Sequence, residues 1–131
     1  MKKFLDGKAM GLLKKISYAI PNGICALFPM NDEIIFESQP DFTCNTYELY
    51  RYMAKQGLQR RYKLSWLVEK IDACRDRQDL HGDLIESRPK SLIEKIKKYF
   101  RCNRAKVFIG CNMHVKHWRT GGKQVNVYLN H

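Results

Sequence analysis

Glu33-Ile34-Ile35-Phe36-Glu37-Ser38 is the stretch that decides the fold. Its apolar centre is unbroken, β-branched and aromatic, and a polar loop follows it, Gln39-Pro40-Asp41-Phe42-Thr43-Cys44. A short continuous apolar run bounded by turn residues reads as a strand of a buried parallel sheet. Runs of this kind recur downstream. Tyr62-Lys63-Leu64-Ser65-Trp66-Leu67-Val68 is a second strand, Asp83-Leu84-Ile85-Glu86 a weaker third, and Lys106-Val107-Phe108-Ile109-Gly110 a fourth. The alternating, β-branched stretch 124–129 reads as a final buried strand.

Helical patterns separate these runs. After the first loop, Asn45 or Thr46 can cap a helix whose apolar face is Leu49, Tyr50, Met53 and Ala54, with Gly57 as its stop. A short helix fits 70–77. A longer one fits about 90–102, with Leu92, Ile93, Ile96, Tyr99 and Phe100 inward and Lys90, Lys95, Lys97 and Lys98 mostly outward. Alternating strands and helices predict an α/β fold, a Rossmann-like parallel sheet with helices on both faces. A parallel strand ordinarily leads into a loop and a crossover helix. The sequence instead stops at His131, so the reading is of the front part of a larger protein.

The domain division is residues 1–31, a basic amphipathic segment, and residues 32–131, the Rossmann-like domain cut short. Within 4–20, Phe4, Leu5, Leu12, Leu13, Ile16, Ala19 and Ile20 recur at roughly helical spacing among Lys8, Lys14 and Lys15. Such a helix can lie on an anionic bilayer, or it can pack against the domain or a partner. The lysines break the apolar patches, so the stretch does not read as a signal peptide. No run approaches the ~18–20 apolar residues of a spanning helix.

The chain carries 24 basic and 13 acidic residues, a net charge of +11. Two regions hold the excess: residues 1–31 have five lysines against Asp6, and residues 90–123 have ten cations against Glu94. An anionic partner is implied. Nucleic acid is not assigned, because the cations of 95–106 lie largely on one solvated helix face without interleaved aromatics for base stacking. The five cysteines are odd in number, widely spaced and without a C-x-x-C pair, which reads as reduced thiols in a cytosolic protein.

No cofactor is assigned. Gly110 and Gly121-Gly122 match neither the dinucleotide nor the P-loop pattern. Cys111, His114 and His117 follow C-x-x-H-x-x-H spacing, with Cys102 as a candidate fourth ligand. Three ligands without a firm fourth are a weak signal, and no metal is assigned. His131 falls at the C-terminal end of a sheet strand, where open α/β sheets bind ligands and where a histidine can act as a base near neutral pH.

Three blocks together resemble the N-terminal half of the CDP-glycerol glycerophosphotransferase family, enzymes that build teichoic-acid-like polymers. The first is Ile34-Ile35-Phe36-Glu37-Ser38 with Asn45 and Leu49-Tyr50, although Cys44 stands where the family keeps Asp before Asn. The second is Tyr62-Lys63-Leu64-Ser65-Trp66-Leu67-Val68. The third is Ala105-Lys106-Val107-Phe108-Ile109 with Lys123-Gln124-Val125-Asn126-Val127-Tyr128-Leu129-Asn130-His131, where Asn130 replaces the Trp of a Trp-His-Gly motif.

The resemblance covers about residues 32–131. It implies the N-terminal half of a glycosyltransferase-B architecture and cytoplasmic, peripheral attachment at the inner face of the cell membrane. It implies an acceptor-side domain of an enzyme that moves glycerol phosphate from CDP-glycerol to an anionic, membrane-linked polymer. It casts His131 as the catalytic base. Ser38, Asn45 and Asn112 are the candidate substrate-binding residues. CDP-glycerol is held mainly by the family's C-terminal half, so this chain alone is expected to be inactive, with an uncovered cleft face that favours self-association. The alternative is a non-catalytic α/β module that binds a membrane or a partner.

Overall fold

The computed structural model describes residues 28–111 and 124–129. Five strands form one sheet: β1 (Asn31–Glu37), β2 (Lys63–Val68), β3 (Leu84–Glu86), β4 (Ala105–Gly110) and β5 (Val125–Tyr128). Their order is β3-β2-β1-β4-β5 and every neighbouring pair is parallel. This is the expected Rossmann-like α/β sheet. Between the strands lie α1 (Cys44–Lys55), the short α2 (Ile71–Cys74) and α3 (Leu92–Arg104).

Side chains alternate across β1, so its apolar run feeds two cores. Ile34 and Phe36 join Tyr50, Leu64, Trp66, Val68 and Ile109 on the α1 side, and Ile35 joins Leu67, Ile85, Cys102, Ala105 and Phe108 on the α3 side. The first core is aromatic. Phe36 lies 5.1 Å from Tyr50 edge-on and 5.5 Å from Trp66 in a stack, and Phe42 is 4.7 Å from Trp66. Helix α1 ends near its expected stop, with Gly57 left-handed at φ 82°. Asn45 and Thr46 do not cap it. Thr43 holds the cap position, without a capping side-chain bond, because its hydroxyl turns back to the Pro40 carbonyl at 2.6 Å. At Gly82 the chain crosses β2 so closely that a Cβ would sit 2.2 Å from the Leu64 carbonyl oxygen.

Two expectations need correction. Helix α3 does not turn its apolar residues inward: Leu92, Ile93 and Ile96 are 72%, 65% and 47% exposed. The helix is docked by its C-terminal half, where Cys102 and Asn103 are buried and Arg101 reaches β1, while its first two turns lie outside the core. Lys98, expected outside, is half-buried and donates to the Ser87 carbonyl at 2.6 Å. Strand β5 is likewise not fully buried. It forms the sheet edge among the described residues, with Val125 and Tyr128 exposed.

Candidate functional site at the C-terminal end of the sheet

In an open parallel sheet, ligands bind beyond the carboxyl ends of the strands, where the connections diverge to opposite faces. Here that point lies between β1 and β4. The first connection from β1 runs through α1 on one face, and β4 is reached through α3 on the other. Glu37 closes β1 opposite Gly110 of β4.

Glu37 is only 8% exposed. Burial pushes its carboxyl up to about 7, and the nearby carboxylates of Asp41 and Glu69 push in the same direction. Among the described residues no cation offsets them. Gly110 leaves the space beside it, since a Cβ there would lie 3.4 Å from Oε2 of Glu37. An acid that is about half ionised at neutral pH can both accept and release a proton, which suits general acid–base work.

The loop after β1 is tightly built. Ser38 Oγ donates to the Pro40 carbonyl at 2.9 Å and accepts from the Thr43 N–H at 3.0 Å. The Gln39-Pro40 peptide is cis. Asp41 accepts the Glu69 N–H at 3.2 and 3.0 Å, which ties the loop to the end of β2. Phe42 and Cys44 are left-handed at φ 58° and 64°. Each costs on the order of 1–2 kcal/mol in a residue other than glycine, and such strain gathers at functional sites. The Cys111 thiol meets that of Cys44 at the same end, and burial pushes Cys111 up.

Beside the loop lies a hollow of about 360 Å³ lined by Asp41, Phe42, Glu69, Lys70 and Arg77 among others. Arg77 stacks over Phe42 at 4.0 Å. It also grips Asp79 through two bonds, at 3.1 and 2.8 Å, and donates to the Tyr47 hydroxyl at 2.9 Å. That hydroxyl in turn donates to Asp79 at 2.6 Å. These bonds, with the Arg77 pair first, hold the Asp79 carboxyl down to about 2. The knot pins the 75–83 crossover over α1, where Tyr50 donates to the Asp79 carbonyl at 2.7 Å.

Of the residues singled out from sequence, Ser38 lies just past the carboxyl end of β1, buried, with its hydroxyl committed to shaping the loop. Asn45 is exposed on the first turn of α1. Asn112, His114, His117 and His131 lie outside the described residues. Cys102 packs in the core under α3, and burial pushes its thiol up to about 12, so it is no ready metal ligand. The four described cysteines are free thiols. Among the described residues no group of three or more metal-ligating side chains gathers, and no helix is long and apolar enough to cross a membrane.

Sequence reading missed Glu37 and Asp41 as site residues. The signal was present: a charged residue closing an apolar strand, with a second four residues on, directly after Pro40 in the following loop. Comparisons with family models, curated proteins and solved structures found nothing that matches this chain. The fold therefore defines its class, a Rossmann-like parallel α/β domain, with a buried carboxyl, Glu37, at the carboxyl end of its sheet.

Proposed function

We propose that this chain is the N-terminal, acceptor-side domain of a glycerophosphotransferase-type enzyme. Such an enzyme moves glycerol phosphate from CDP-glycerol to an anionic, membrane-linked polymer, within a glycosyltransferase-B architecture. The observation that carries the reading is the placement of the three resembling blocks. Their apolar runs fall on β1, β2 and the β4–β5 pair, neighbouring parallel strands whose carboxyl ends lie along one edge of the sheet. In this reading His131 is the base that takes the acceptor's proton, and Glu37, whose carboxyl burial pushes up to about 7, adds a second proton-exchanging group at the carboxyl end of the sheet. Ser38 shapes the loop after β1. Asn45 and Asn112 remain its substrate-binding residues.

Phosphoryl transfer depends on positioning both partners and neutralising charge. The resemblance assigns donor binding to a second half, so the 131-residue chain transfers nothing by itself. Residues 4–20 supply a peripheral membrane contact in the same reading. The test uses the purified chain with a soluble glycerol-phosphate oligomer and with CDP-glycerol. The oligomer is expected to shift the NMR signals of Glu37, Ser38 and Gly110, and no glycerol phosphate is transferred. Transfer by the chain alone, or an oligomer that leaves those signals unmoved, would overturn the proposal.

A further inference from the structure

The first two turns of α3 carry a feature that the crevice does not explain. Every residue from Ser91 to Lys97 is exposed. Leu92, Ile93 and Ile96 fall on one side of the helix at i, i+1 and i+4, and the half-buried Phe100 continues the stripe one turn on. These turns are nonetheless firmly formed. Ser91 Oγ accepts the Glu94 N–H at 3.4 Å as an N-cap, and Arg101 and Cys102 fasten the helix further along. A fixed, exposed aliphatic stripe of this kind marks an interaction surface.

The surrounding charges say what kind of surface it meets. Lys90, Lys95 and Lys97 are exposed around the first two turns, where Glu94 lies 3.7 Å from Lys97. Further along, Ile96 and Phe100 adjoin Asp32, Glu33 and Asp83, whose carboxylates are paired with Lys106, Arg101 and Lys63. An aliphatic stripe bordered by lysines is the makeup of a helix that lies in the bilayer interface. The aliphatic chains enter the boundary below the head groups and the ammonium groups meet lipid phosphates.

We propose that the first two turns of α3 seat the domain on an anionic bilayer, with Leu92, Ile93 and Ile96 entering the interface and Lys90, Lys95 and Lys97 contacting lipid phosphates. Location adds to the argument. Helix α3 begins just after the carboxyl end of β3, at the same end of the sheet as Glu37 and Asp41. Seating these turns brings the crevice end to the membrane, the side from which a lipid-linked acceptor arrives. The inference builds on the membrane contact of the preceding reading and gives it a second surface. The lipid contact itself does not depend on transfer chemistry.

Cosedimentation tests it, with vesicles of phosphatidylcholine alone and of phosphatidylcholine with phosphatidylglycerol. The full chain is expected to bind only the anionic vesicles. The paired substitutions Leu92→Ser with Ile93→Ser are expected to weaken that binding about tenfold, and Lys95→Glu with Lys97→Glu by a similar factor. Both pairs alter exposed side chains, so circular dichroism and the thermal midpoint are expected to stay unchanged. A chain lacking residues 1–22 is expected to keep at least part of the binding, and to lose it with the serine pair.

Undiminished binding by the serine pair overturns the inference. If removal of residues 1–22 abolishes binding while the serine pair does not, the N-terminal contact stands and this one falls. If the serine pair instead turns a lipid-free dimer into a monomer by light scattering, the stripe is covered by a second copy of the chain, and the bilayer assignment is overturned.

Discussion

Glu33 and Glu37 stand four residues apart on the same face of β1, both nearly sealed from water at 4% and 8% exposure, and the protein treats them in opposite ways. Glu33 is surrounded by donors. Arg101 of α3 binds it through two bonds at 3.1 and 2.7 Å, and Ser65 Oγ donates at 2.6 Å. Arg101 also reaches Asp83 at 2.6 Å, and Lys63 completes the set at 2.9 Å. Glu37 faces two further carboxylates and, among the described residues, no cation. The amino end of the sheet uses a buried carboxylate to clamp α3 in register. The carboxyl end leaves one uncompensated, at a cost to stability. A cost retained at the ligand-binding end of the fold points to chemistry rather than to folding.

The comparison can be broken most severely at the clamp. Arg101→Ala strands the Glu33 charge in the interior and is expected to cost about 3–5 kcal/mol in urea unfolding. Replacing both partners with apolar residues is expected to restore most of that loss, since the penalty comes from the unpaired charge.

Glu37→Gln has the opposite sign. The folded chain holds this proton up to about pH 7, against an ordinary value of 4.5. The folded state therefore binds more protons in that window, and stability falls as pH rises from 4.5 to 7 and then levels off. The variant is expected to be more stable than the parent by about 1–3 kcal/mol at pH 8 and equal to it below pH 4, by thermal melts across pH.

Asp79 supplies a calibration, being a carboxylate with a cation. Its value is held down to about 2 from 3.8. Its contribution is present above pH 3.8 and is lost as pH falls toward 2. Because the pair is partly open to solvent, Asp79→Asn is expected to cost only about 1 kcal/mol at pH 7. The smallest effect belongs to Ser38→Ala, which removes the hydroxyl that links Pro40 and Thr43. It is expected to cost about 0.5–1 kcal/mol and to raise amide exchange across 38–44.

Much of the fold was legible in the sequence because apolar runs report burial directly. Ile34–Phe36 and Val107–Ile109 read as strands of a buried parallel sheet, and they lie in β1 and β4 inside it. The stop of α1 was legible because Gly57 takes a conformation that glycine adopts freely. The orientation of α3 was not. Periodicity shows that a helix has an apolar face, but not whether that face meets the sheet, and here an ion pair and Cys102 set the docking instead. Glu37 was hidden for a related reason. Sequence shows a carboxylate at a strand end, whereas its raised value depends first on burial and then on Asp41 and Glu69, which arrive from a loop and from the end of another strand. Ser38 was read as a substrate-binding residue, and sequence did not show that its hydroxyl is engaged within the loop by the turn at Pro40. The readings on Asn112, His114, His117 and His131 fall outside the described residues.

The most direct test of the account is the titration of the Glu37 side chain, followed through its carboxyl carbon by NMR and assigned with Glu37→Gln. A midpoint near 7 is predicted, and with it a carboxyl able to exchange protons at the ligand-binding end of the sheet. A midpoint near 4.5 would make Glu37 an ordinary surface acid and would contradict the account.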